Sequence, residues 1–488
     1  MNDPLCPSPV RPDPTPATRK PGAFTGGSFF AGFALAALCA LPGDARAQQF
    51  VAVPNSTVAT DITADGNTVV GRLSGGGGFT WDWRTAPSPT PIGGLDVTAV
   101  NADGSVIVGT IIDGGTGDEV AARWTQATGW VSLGYLPNAL GCPGRSRALD
   151  VSADGQTVVG SSWDGCSGRA FVWTQATGMQ ELAVLGTGSN RAIALSADAQ
   201  VIGGYAQGPS FRSPALWAPD LTGGFLDDTI PGEIHGMNND GSVIVGEFYP
   251  GSGNGNDAFA YTAATGAVSL GSEDPNASAV AVDVSELGHV IVGYDENGLL
   301  RNGWIYIVGL GLVDANDHLA SLGLTGTPEI LRCDAVSADG SVVVGGMDTG
   351  GSGFLSGGFI ADISTGPWLN LGGGTVGVEG VPFLVGDGPL TAGSPATLSL
   401  RNTPPNAIML AWLSFTSVPL PAFGGLIHAN PYANQFFFFS DAQGEWSATV
   451  PWPAGVPAGT EVYFQFLVED VSTLYTITLS NGVKATTP

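Results

Sequence analysis

A ten-residue phrase recurs along this chain, reading VNADGSVIVG from Val100, VSADGQTVVG from Val151, MNNDGSVIVG from Met237 and VSADGSVVVG from Val336, with weaker copies between. Aligned on its acidic position it occurs seven times, at Asp65, Asp103, Asp154, Asp198, Asp240, Leu287 and Asp339, spaced 38 to 52 residues apart. A period of this size belongs to stacked supersecondary units, and the roughly 40 to 50 residues of a propeller blade is the nearest match.

Each copy parses into four short strands. The first alternates, as in Ala148 to Ser152, and ends in Ala-Asp-Gly or Asn-Asp-Gly, a strong hairpin signal. The second is continuously apolar, as in Val342-Val343-Val344, and is closed by glycine, which suits an interior strand. The third carries an aromatic residue: Trp81, Trp124, Trp173, Trp217, Tyr261 or Tyr306, with Ala361 in its place in the seventh copy. Gly178 to Leu182 exemplifies the fourth. An aromatic recurring once per unit reads as packing between neighbouring sheets. The repeated aspartate reads as turn chemistry, since Asp bonds its own backbone and tolerates tight conformations. Units of this kind bury both faces by stacking, and closing the stack removes its exposed ends. The expected fold is therefore all-β: a seven-bladed β-propeller over 48–375, followed by a C-terminal β-sandwich over 376–488. The stretch Phe50-Val51-Ala52-Val53 is expected to pair with the last unit and lock the ring.

The phrase and the segment Ala170 to Leu182 together resemble the HAF-repeat family of bacterial extracellular proteins, over about Thr57 to Leu371. Asp317 to Leu324 looks like the short helix that family carries before its last repeat. The resemblance implies export and a propeller-like fold and brings no catalytic residues with it. Beyond it, Val462-Tyr463-Phe464-Gln465 and Leu479-Ser480-Asn481-Gly482 resemble a C-terminal module of secreted planctomycete-type proteins. Its strands, parted by Pro and Gly turns, suit a sandwich, and Phe436 to Phe439 reads as a core strand.

Residues 1–47 read as an export signal, with Arg19 and Lys20, an apolar run from Phe29 to Leu41, and Ala45-Arg46-Ala47 as the cleavage site. The mature chain is expected outside the cytoplasm, extracellular or at the cell surface, without a transmembrane segment. A formal net charge of −27 excludes nucleic acid as a partner, because phosphate binding needs a basic footprint. Hydrophobic content of 43% argues against disorder. In an oxidising compartment Cys142 and Cys166 are expected to pair, both falling in loops of one unit on one face, which leaves Cys333 as the odd thiol just before the seventh unit's first strand.

The Asp-Gly turns make one end of such a disc plain, and the loops between second and third strands make the other variable. Function usually lives on such loops. Arg145, Arg147 and Arg169 gather near Trp163 in a chain with few cations and offer a site for an acidic sugar or carboxylate, against the plainer reading of ion pairs to Asp150 and Asp164. Asp113, Asp118 and Glu119 in a glycine-rich loop could hold calcium, the one cofactor considered, although their spacing matches no calcium motif. His235, His289, His318 and His428 are scattered and fit no metal spacing. No catalytic cluster is read. The expected function is non-enzymatic binding of an extracellular ligand, a glycan or a protein. A glycosidase-like enzyme, needing two opposed carboxylates, or a structural envelope component are the alternatives.

Overall fold

The computed structural model describes residues 48–488 apart from 138–143, 164, 166, 250–254, 275, 287, 299, 309, 365–366, 373, 376, 378–381, 402, 443, 472 and 474. The protein is all-β, with one short helix among the described residues, Ala315–Ser321. The expected helix starts two residues earlier than the sequence suggests, because the Asp314 side chain caps it by accepting the N–H of Asp317.

Residues 49–362 build four-stranded antiparallel sheets, one per repeat, numbered here one to seven in chain order. Sheet three is representative: Arg145–Val151, Thr157–Trp163, Gly168–Thr174 and Gly178–Glu181 pair in sequence order. The first strand of each sheet lies against the second and third strands of the sheet before it, and the first strand of sheet one lies against sheet seven. A separate apolar core fills each of these seams. Val158 and Phe171 of sheet three pack with Val106 and Val108 of sheet two, and Phe79 and Trp81 of sheet one pack with Val342, Val344 and Ile360 of sheet seven.

The phrase builds the turn that orders each sheet. In all seven copies the Ser, Thr or Asn two residues before the acidic position accepts the N–H five residues on, as Ser152 does from Thr157. The repeated aspartate accepts the N–H two residues on at Asp65, Asp103, Asp154, Asp198, Asp240 and Asp339, so its turn role is as expected. Adjacent turns also bond to one another: Ala153 N–H to Ala197 O, Ala197 N–H to Asn239 O, Glu286 N–H to Ala338 O, and, from sheet seven to sheet one, Ala338 N–H to Ala64 O at 3.1 Å.

Each first strand carries a β-bulge at the same place, for example between Ala148 and Asp150. The bulge explains the glycine that closes the phrase. A Cβ on Gly160 would sit 2.0 Å from the Arg147 carbonyl oxygen, and the equivalent glycines meet the equivalent carbonyls.

Sheet seven takes its fourth strand from the other end of the chain: Gln49–Val53 pairs antiparallel with Gly357–Asp362. Trp368–Gly372, which lies within the 48–375 span expected as propeller, pairs with Gly482–Thr486 in the C-terminal region. In that region a larger sheet and a three-stranded sheet share one core, in which Leu384 and Leu400 meet Met409, Phe466 and Val483. Asn481 and Gln465, from the segments that resemble the secreted module, are fully buried. Asn481 accepts from Leu384 N–H, and Gln465 accepts from His428 N–H while its amide donates to Leu426 O and Ser480 O. Asn434–Phe439 is the edge strand of the larger sheet. Phe436 and Phe438 pack on the core, but Phe437 and Phe439 stand 68% and 67% exposed on its outer face, so the expected core strand is buried on one side alone.

Candidate functional site

The Asp-Gly turns lie at one end of the sheets, and the loops from second to third strands lie at the other. At that second end of sheet three, Arg145 lies directly across the ladder from Trp163, and Arg147 from Ser161. Arg169 pairs with Ser162, itself opposite Ser146. Residues on adjacent positions of a strand point to opposite faces, so Arg169 leaves the group. It forks onto the Glu181 carboxylate and donates to the Pro137 carbonyl. Arg145 and Arg147 are exposed, and Trp163 shows 45% of its surface. Arg147 faces Glu119 of sheet two at 3.5 Å, rather than Asp150. Asp164, the other expected partner, lies outside the described residues.

Arg147 has counterparts in the neighbouring sheets. The same ladder position holds Arg191 in sheet four, opposite Tyr205. Tyr205 is buried between Arg191 and Arg212, whose guanidinium carbons lie 5.4 and 4.6 Å from its ring centre. Tyr294 is held in the same way between Arg301 and Arg332, at 5.2 and 5.0 Å. Arginine stacked on an aromatic ring keeps donors in its plane free for a ligand. Arg212 spends one on Glu233 at 2.6 Å; Arg191 and Arg145 have no carboxylate partner among the described residues.

Glu233 and His235 stand on the first strand of sheet five, and Glu247 lies directly across the ladder from Glu233. Ligand atoms of the three lie within 4.8 Å of one another. Along the sequence only the Glu233-x-His235 alternation marks it, because the group is assembled across a ladder. Asp113, Asp118 and Glu119 form no such group among the described residues. The Asp113 carboxylate accepts the N–H groups of Gly115 and Thr116 and so closes its own loop, while Glu119 turns to Arg147. These hydrogen bonds, that of Thr116 first, hold Asp113 below the usual carboxylate range.

Three further carboxylates occur where the sequence shows only alternation. Asp61, Asp150 and Asp283 occupy the same bulge position of sheets one, three and six. Each accepts the following N–H with one oxygen, and with the other the N–H of Val100, Leu195 or Val336 in the next sheet. All three are partly buried. Burial, and then mutual repulsion, lifts Asp61 well above the ordinary range; burial lifts Asp150 to about 7 and Asp283 to about 6.

Cys142 and Cys166 lie outside the described residues. Cys333 is free, and it sits inside the strand Glu329–Val336 with no exposed surface, not before it.

No family model matches the chain, and no curated protein matches it. Solved structures with a similar layout include the β-propeller domain of the Trilobed protease from Pyrococcus furiosus (10% identity, 66% of this chain and 99% of that one, TM-score 0.43). An oligogalacturonate lyase from Vibrio parahaemolyticus is similar at 12% identity (65% and 92%, TM-score 0.43), and a TolB from Agrobacterium tumefaciens at 13% (46% and 80%, TM-score 0.34).

Proposed function

We propose that the seven sheets are the blades of a closed seven-bladed β-propeller carrying a C-terminal β-sandwich, and that the protein is an exported, non-enzymatic binding protein for an acidic glycan. The seam cores and the bonds between turns support closure. The export signal read in residues 1–47, and the likeness of the repeat to HAF repeats, support placement outside the cytoplasm.

One observation carries the ligand class: a half-exposed tryptophan, Trp163, directly across from an arginine, Arg145, with Arg147 beside them and Arg191 on the next sheet. An aromatic face stacks on a sugar ring, and guanidinium forks recognise carboxylates. In a chain of net charge −27, two arginines, Arg145 and Arg191, with no carboxylate partner among the described residues are informative.

The test is a glycan array probed with the wild-type protein, with Trp163→Ala and with Arg145→Ala/Arg147→Ala. Binding restricted to glycans bearing uronic or sialic acids, weakened tenfold or more in both variants, is expected. Mass spectrometry of the bound glycan after prolonged incubation should recover it intact. Binding that ignores both variants refutes the site, and cleaved product refutes the non-enzymatic reading.

A further inference from the structure

We infer that Glu233, His235 and Glu247 form a site for one divalent ion of the zinc class on the first and second strands of sheet five. The strongest sign is the His235 Nε2 atom. It is enclosed and makes no hydrogen bond among the described residues; it faces Glu247 Oε1 at 3.7 Å, an ion-pair distance for a protonated ring but longer than a hydrogen bond. A buried ring nitrogen left in that state costs free energy unless something else occupies its lone pair.

The two glutamates make the same point. Directly opposed like charges destabilise a ladder, yet Glu233 and Glu247 are cross-strand partners with side chains 12% and 20% exposed. Arg212 offsets one charge and leaves the other facing His235. Each carboxylate has one oxygen fixed from outside, Glu233 Oε1 by Arg212 at 2.6 Å and Glu247 Oε2 by Asn256 at 2.9 Å. The second oxygen of each therefore remains for a ligand shared with His235. Outer partners that orient carboxylates in this way are a regular feature of metal sites.

The ligand set selects the ion. One imidazole with two carboxylates suits zinc and its neighbours rather than calcium or magnesium, which take oxygens alone. Around zinc, with bonds of about 2.0 to 2.2 Å, tetrahedral ligand atoms sit roughly 3.3 to 3.5 Å apart. The 3.7 Å between His235 Nε2 and Glu247 Oε1 needs only a small side-chain adjustment to meet that. Three protein ligands leave a coordination position for water or an exogenous donor.

The test uses the untagged full chain, stripped with a chelator and titrated calorimetrically with zinc chloride, and with calcium chloride for comparison. One equivalent of zinc, preferred over calcium, is expected, with affinity reduced at least tenfold in His235→Ala and in Glu247→Gln. Circular dichroism checks that each variant folds, and His235→Gln replaces His235→Ala should that one fail. Diffraction at the zinc edge should place the ion within bonding distance of His235 Nε2. Absence of uptake, uptake indifferent to the folded variants, or an anomalous peak elsewhere overturns the site. The Arg145 and Trp163 reading rests on different residues and is untouched by any of these results.

Discussion

The Phe50 ring stacks on the Phe359 ring, centroid to centroid 5.7 Å with the planes 11° apart. Phe50 also lies directly across from Ala361, the seventh-repeat position that lacks the recurring aromatic. The strand from the start of the described chain thus supplies both the missing fourth strand and the missing ring. Phe50→Ala should lower stability by about 2 kcal/mol, below the roughly 3 to 5 of a fully buried phenylalanine because Phe50 is half-buried. Urea unfolding read by tryptophan fluorescence measures it.

Stability should rise as the pH is lowered from 8 to 5. Asp61, Asp150 and Asp283 have folded values raised above the ordinary 3.8. Their contribution is therefore fully present below that value and is lost as the pH climbs through about 6 and 7. A tenfold change in proton affinity is worth about 1.4 kcal/mol, which makes the effect at most a few kcal/mol for Asp150. The turn carboxylates Asp103 and Asp154, held low by hydrogen bonds from Ser105 and Ser152, have the opposite sign and lose their contribution below about 4. Melting temperatures across pH 4 to 8 should show a maximum on the acid side, and Asp150→Asn should flatten the slope above pH 5. A flat profile in the wild type would refute the assignment.

Two substitutions in the phrase should act in opposite directions. Ala199 stands where other copies have glycine and is forced to φ 57; Ala199→Gly should stabilise by about 1 kcal/mol. Gly160→Ala would drive a Cβ to 2.0 Å from the Arg147 carbonyl and should be among the most damaging changes in the chain, by roughly 3 kcal/mol or more. Paired thermal melts of the two variants check both signs.

Local rules carried the repeat region a long way. The turn residues and the apolar second strands follow from composition and period, because each depends on neighbours in sequence, whereas the pairing of Phe50 to Val53 with the last sheet joins distant parts of the chain and rested on the closure argument alone. The membership of Trp368–Gly372 was not legible, since its alternation suits either sheet; the place beside Gly357–Asp362 is held by Gln49–Val53. Arg169 was misplaced by a single residue of register, enough to turn it onto the other face. The Glu233, His235 and Glu247 group and the tyrosines held between arginines are cross-strand and cross-sheet assemblies. The Glu-x-His alternation was their one local trace, read beside the glutamate that follows the second-strand glycine.

The outward ring pair on the edge strand should govern self-association. Phe437 and Phe439 are more than two-thirds exposed beside unpaired backbone groups of an edge, a template for pairing with another chain. Phe437→Lys should leave the melting temperature within about 1 °C, since a surface change costs under ~0.5 kcal/mol, and should reduce light scattering at high protein concentration. Equal scattering would show the edge to be inert.

The register of the closing strand has a mechanical consequence. Gln49 is paired with Asp362 and Val53 with Gly358, so the chain enters and leaves this ladder at the same end. A load applied between the N-terminal side and the C-terminal module would therefore peel the hydrogen bonds one after another, like a zip, instead of straining all of them together. Sheet seven would lose its fourth strand under small force while the other six sheets stayed intact.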